Sequence, residues 1–387
     1  MRNCIICRQK RIRREHSMED EAELTALGEY CSNGIKKYIF PVHGLEDKIF
    51  LALTVKAGSS DESENQAGIA HFLEHVQMTF FNANEMEFLC SAHTDFYATT
   101  YYFDCTKSSF EQTVTIIQQI ILGTYIEEAD IDSIRQDVTA EYRHYYKKNA
   151  TADFRWLLSN TEYEMHYSIG RLECIKNFNK CDLKKFYERK YCLDEMGLFL
   201  IASPEILDEV GDSWIEKLKG LRGHTGRNIL SYDKKGKTIY KLGNDSITDT
   251  SYYFYRERKQ GQEPLDEILL MIAEQLLRKK IDTAQMNKIY LSPTQEFIKI
   301  SVNKCQSWIT IYQLLKAMEI SEIEKMYKET INAEPVGYNC NTLRERLIQG
   351  FVFEDTSLIC ESTESKVQEV WEKVLEVCEK EPIIIFK

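Results

Sequence analysis

No apolar run in this 387-residue sequence is long enough to cross a bilayer. The best candidates, such as TVTIIQQIILGTYI, are interrupted by Gln and Thr, whereas a spanning helix needs about 20 mostly apolar residues. Insertion in a membrane is therefore not expected. Positive charge is also scarce: 49 Lys and Arg face 61 Asp and Glu, leaving a net charge of -12. A nucleic-acid surface would have to work against that field, so no nucleic-acid partner is expected. The first residues, MRNCIICRQKRIRREHSMEDEAEL, contain no apolar h-region and no small-residue cleavage site, so they do not read as a secretory signal. A second C-x-x-C to match Cys4 and Cys7 is absent, and a zinc knuckle needs both pairs. The twelve cysteines follow no disulfide framework, which points to reduced thiols and a cytoplasmic setting.

What remains is a chain with enough apolar residues, 43%, to build two cores. Residues 1–22 pair a basic run from Arg8 to Arg14 with the acids Glu15, Glu19, Asp20 and Glu21, and read as a solvated extension. IKKYIFP, KIFLALTVKAG, DFYATTYYFDC and EMGLFLIAS read as strands, with helices between them, the longest from about Glu127 to Lys148. The stretch 221–238, rich in Gly and charge, reads as a linker. Beyond it SYYFYRE, LDEILLMIAEQLLRKKI, EFIKISV and PIIIF repeat the strand and helix order weakly. The expected class is α+β, with one unit over 23–220 and a shorter one over 239–387.

One helix carries the chemistry. In AGIAHFLEHVQMTFF, residues three and four apart share a face, so His71, Glu74, His75 and Met78 form a stripe flanked by Ile69, Phe72, Leu73, Val76 and Phe80. Burying three polar side chains without partners would cost several kcal/mol. A cation satisfies them: two imidazoles one turn apart can converge on one zinc ion, and a neighbouring carboxylate can act on water beside it. A third protein ligand is then needed. In EEADIDSIRQDVTAEYRHYY the apolar stripe runs Ile131, Ile134, Val138, Tyr142 and Tyr145, and Glu141 falls on its edge. The simpler reading of Glu141 is a surface carboxylate or one paired with Arg.

H-x-x-E-H, together with the blocks around it, resembles the pitrilysin or insulinase family, which includes the mitochondrial processing peptidases. CSNGIKKYIF resembles the family's opening strand. VKAGSSDESENQAGIAHFLEHVQMTF resembles its signature block, with an aGs-x-x-E element before the helix. SAHTDFYATTYYF is similar to its N-A-x-T strand, and GRLECIKNFNKCDLKKFYERKY to the segment before the last strand of the first unit. The resemblance covers most of 28–205. It implies tandem α/β-roll units with mixed sheets flanked by helices, forming half of a clamshell chamber. It also implies zinc as cofactor, held by His71, His75 and Glu141, with Glu74 as general base for peptide-bond hydrolysis. A peptide substrate would add as a strand along Ser91, Ala92, His93 and Thr94.

Departures from the family pattern are local. The interval from His75 to Glu141 is short, Ser91 replaces the Asn of N-A-x-T, and Ile134 stands where a second Glu is usual, leaving Asp137 to support the ligand. Of the Arg and Tyr that hold the substrate carbonyl from the second unit, Tyr290 is present, unless it is an ordinary strand-boundary aromatic, and Thr283 replaces the Arg. The resemblance therefore implies a homologous partner subunit that supplies the clamp in a heterodimer. It also points to leader-peptide removal in bacteriocin maturation of the subtilosin type. The alternative is a non-catalytic peptide-binding scaffold subunit of such a complex.

Overall fold

The computed structural model describes residues 28–386 apart from 84–87, 148, 227, 235–237, 242–248, 260–261, 263–264, 293, 304–305, 334–335 and 356–366. The extension 1–22, with Cys4 and Cys7, lies outside the described residues, as do parts of the 221–238 linker. The fold is α+β, with two mixed sheets flanked by helices. Among the described residues no helix is long and apolar enough to cross a membrane.

The first sheet contains β1 (Glu29–Tyr30), β2 (Lys36–Pro41), β3 (Lys48–Val55), β4 (Leu89–Thr94), β5 (Thr99–Thr106) and β6 (Met196–Ala202), in the order β1-β2-β6-β3-β5-β4. Only β2 and β6 run parallel. In β3 every residue after Lys48 is buried, as a continuous apolar run in a central strand requires. β4 pairs with β5 and closes the sheet as an edge, with exposed and covered residues alternating along it.

Among the helices are α1 (Ile69–Ala83), α2 (Phe110–Leu122) and α3 (Ile131–Lys147), of which α1 and α3 bear on the site. Ile69, Ala70, Phe72, Leu73 and Val76 of α1 are fully buried, and each large apolar side chain there contributes roughly 2 kcal/mol. The chain enters α1 through a close backbone crossing. Gly68, at φ +95°, lies so near Gly170 that a Cβ on it would stand 2.8 Å from the Gly170 Cα. No other residue fits there without moving the helix start.

Glu62 then caps the entry. The amides of Gly68 and Ala70 donate to its two carboxylate oxygens at 2.7 and 2.8 Å, which holds the first turn of α1 in place. Burial pushes this carboxyl up to about 8, against the pull of the Gly68 and Ala70 amides. An unfolded Glu releases its proton near 4.5, so the stabilisation is complete below that pH and is lost as pH rises through about 8. Tm, followed by circular dichroism, is expected to fall between about pH 5 and about pH 8, and to fall less steeply in Glu62→Gln.

The second sheet contains β7 (Ile239–Lys241), β8 (Asp249–Glu257), β9 (Gln285–Ser292), β10 (Gln295–Asn303) and β11 (Ile383–Phe386), in the order β7-β11-β8-β10-β9. Its core collects Leu269, Ile272, Ala273 and Leu277 with Ile298, Ile300, Val370 and Val374. By packing, the chain forms two compact units. The first takes its described residues from Met1–Thr139, Ser168–Arg227 and Val336–Cys360, and the second from Ala140–Tyr167, Asn228–Pro335 and Glu361–Lys387.

The boundaries 23–220 and 239–387 thus need two exchanges. Helix Val336–Phe353 joins the first unit because its buried Arg344 donates to Leu51 O and to Asp104, and because Phe351 packs on Tyr38 and Phe199. Residues 140–167 join the second because buried Asp153 accepts from Tyr253 and from Lys299. A polar linker marks where a chain leaves a core, but not which sheet a later helix covers.

Candidate metal centre and active site

The helical pitch of α1 places His71 and His75 one turn apart, and the structure turns both rings inward. Their Nε2 atoms are 3.2 Å apart, and the ring centroids are 4.7 Å apart at 85°. Two nitrogens each about 2.1 Å from a tetrahedral zinc ion would stand about 3.4 Å from one another, so the spacing suits a shared ion.

The third donor comes from α3. His71, His75 and Glu141 each offer one ligand atom, and these atoms lie within 4.8 Å of one another. The unit boundary falls inside α3, but the helix is continuous from Ile131 to Lys147. Its buried Ile134 and Val138 anchor the rod that carries Glu141 to the histidines. Two imidazole nitrogens and one carboxylate oxygen form a donor set that zinc accepts while keeping one position open. The residues present therefore fit the ion.

Glu74 lies on the same face of α1, buried at 8% exposure. Its Oε2 accepts a hydrogen bond from the Thr94 hydroxyl at 2.5 Å. Thr94 Oγ1 lies 3.2 Å from Thr99 Oγ1, and Thr99 donates to Ala57 O at 2.9 Å. Behind them the Tyr191 hydroxyl bonds to Thr99 and lies 2.9 Å from that of Tyr101. Burial, reinforced by the Glu74 charge, raises both phenols well above their usual range, so both keep their protons. A carboxylate held at one oxygen, with the other oxygen left to act, has the form of a general base.

The other candidate residues are distributed as follows. On β4, Ser91 and His93 are exposed, Ala92 is half-buried and Thr94 is buried. Strand alternation puts Ala92 on the Thr94 face, toward α1, and Ser91 and His93 on the opposite face. Asp137 is exposed on α3, one turn before Glu141, and Ile134 is buried in the apolar stripe. Tyr290 lies on β9 of the second unit, opposite Glu296 and half-buried, whereas Thr283 precedes the far end of that strand, where its hydroxyl accepts from Asn303 N at 3.0 Å. Nothing in the sequence singles out Thr99, Tyr101 and Tyr191: Thr and Tyr are ordinary residues in a strand such as β5, and Tyr191 merely follows a helix. Glu62 was visible only as the acid of aGs-x-x-E, without its capping role.

Residues 45–172 match the model of the insulinase family, peptidase family M16. The chain is 25% identical over 204 residues to the probable zinc protease PqqL of Escherichia coli K12, covering 48% of this chain and 22% of that protein. It is also 25% identical over 201 residues to the beta subunit of the mitochondrial-processing peptidase of Neurospora crassa, covering 48% of this chain and 42% of that one. It thus spans less than half the length of these curated relatives. In fold it is similar to the first half of the periplasmic protease PqqL from Escherichia coli. The TM-score is 0.70 at 16% identity, over 93% of this chain and 91% of that one. His71, Glu74, His75 and Glu141 all fall within the matched segment, about a third of the chain, which is similar to the insulinase family, peptidase family M16.

Proposed function

We propose that this chain is the zinc-bearing subunit of a metalloendopeptidase that cuts extended peptides, with His71, His75 and Glu141 as ligands and Glu74 as general base. The observation that carries the reading is the convergence of His71, His75 and Glu141 beside a buried glutamate held by Thr94. A zinc ion held there would supply Lewis acidity to a peptide carbonyl and lower the pKa of water. Glu74 takes the proton from the attacking water and passes it to the leaving amine. β4 offers its open backbone edge to the peptide, which pairs as an added strand along residues 91–94. Asp137 supports the ligand helix near Glu141.

Tyr290 supplies only part of a carbonyl clamp, with Thr283 in the place of its Arg, so a homologous partner subunit completes it, in a heterodimer. The substrate class in this reading is a ribosomally made precursor whose leader is removed, as in bacteriocin maturation. The cysteines at 31, 90, 105, 174, 181, 192, 340 and 378 are free thiols, which supports a reducing, cytoplasmic setting, although the relative PqqL is described as periplasmic. A scaffold that only binds peptide would not need the quartet of His71, Glu74, His75 and Glu141.

The test is incubation of the zinc-loaded chain, alone and with a homologous subunit, with unstructured peptides of about 20 residues, read by mass spectrometry. Internal cleavage that a chelator stops and zinc restores supports the reading. Intact peptides under both conditions overturn it.

A further inference from the structure

We infer that Thr94 is a positioning residue that ties the edge strand β4 to the general base, so that the strand a peptide would pair with also fixes where Glu74 points. The inference rests on the peptidase reading for its catalytic meaning, but the contact itself stands on the structure. Thr94 is the last residue of β4, is 2% exposed, and directs its hydroxyl to Glu74 Oε2 at 2.5 Å. That hydroxyl has a single proton, and Glu74 receives it, so toward Thr99 it can act only as acceptor, of a proton that Thr99 shares with Ala57 O. Thr99, Tyr191 and Tyr101 are all fully buried, and they extend the hydroxyl cluster into the core under β5.

Three consequences follow from the geometry. One carboxylate oxygen is bound, so the side chain keeps one rotamer and presents the other oxygen. The remaining residues of β4 are exposed or half-buried, so Thr94 is the point at which the open edge strand is fastened to the interior. A peptide paired along β4 takes its register from a strand whose end is bonded to the base. The distance between the scissile carbonyl and Glu74 is then set by backbone pairing and not by a flexible side chain, and errors of about 1 Å in such placement cost on the order of a hundredfold in rate.

The experiment compares Thr94→Val, which keeps the shape and removes the hydroxyl, with Thr94→Ser, which keeps the hydroxyl. Zinc content, peptide cleavage and Tm are measured on the full chain, and Tm also in a Glu74→Ala background. Expected are one zinc per chain throughout, a kcat about tenfold or more lower for Thr94→Val, a KM within about twofold, and recovery of most of kcat in Thr94→Ser. Thr94→Val should also lower Tm by about 2 °C when Glu74 is present and by much less when it is Ala. An unchanged kcat in Thr94→Val, or a Tm effect that is the same in both backgrounds, overturns the assignment. Should the parent chain cleave no peptide either alone or with a homologous subunit, the peptidase reading fails and the Tm comparison alone decides whether Thr94 holds Glu74. If Thr94→Val does not fold, Thr99→Val replaces it one bond further from the base, with a smaller loss of kcat in the same direction.

Discussion

Replacing Glu74 with Gln is expected to leave the zinc content at one per chain and to lower kcat by about a thousandfold, within the range usual for loss of a general base. The amide has the shape of the carboxylate and its oxygen can still accept from Thr94, so the buried network and the fold are retained. It cannot take a proton from water. Because Glu74 is not one of the three convergent donors, the metal site should be indifferent to the change. Elemental analysis and timed peptide cleavage on the same preparation separate these effects. Full activity in Glu74→Gln would remove the residue from the mechanism. Peptide binding without cleavage by either chain would leave a binding subunit on a peptidase fold.

Much of this site was legible in the sequence because a helix of known pitch leaves little freedom. Once His71 and His75 are four apart and the flanking positions are apolar, both rings must share one inward face, and there His71 is buried and His75 half-buried against it. Glu141 was legible for a related reason: Ile134 and Val138 fix the inward side of α3, and Glu141 follows Val138 by three residues. Thr94 was not. Alternation says that Thr94 and Ala92 share a face, but only the packing of α1 on that sheet shows that the face meets Glu74.

The start of α3 shows the same limit. A helix from Glu127 is favoured by composition, yet Ala129 is extended and the Asp130 carboxylate accepts from Asp132 N and Ser133 N, so the long helix begins only at Ile131. Capping by one side chain overrode a favourable run. The exchange of Val336–Phe353 into the first unit is set by Arg344, whose partners Leu51 and Asp104 are more than two hundred residues away in sequence. No local pattern encodes a pairing of that range.

Glu141→Gln should produce the second large effect, a loss of zinc affinity of more than about a hundredfold, because even residues that only support a ligand cost 10–100-fold when removed. A neutral amide oxygen is a poorer donor to zinc than a carboxylate, and it leaves two imidazoles 3.2 Å apart to hold the ion by themselves. Two readings are available without any substrate. Zinc retained after dialysis against a weak chelator should drop well below one per chain in the variant. Zinc should also raise the Tm of the parent far more than that of the variant, since an ion at about 100 times its Kd adds about 2.7 kcal/mol to stability. Asp137→Asn provides the internal comparison: Asp137 is exposed one turn away, is not among the three donors and only supports the ligand helix, so its removal should weaken zinc by about tenfold, well short of the loss in Glu141→Gln. Equal losses in Glu141→Gln and Asp137→Asn would mean that α3 acts through its general negative charge. A loss confined to Glu141→Gln makes its carboxylate the third ligand, and the shortened interval from His75 then alters only the connection between the helices and not the centre they build.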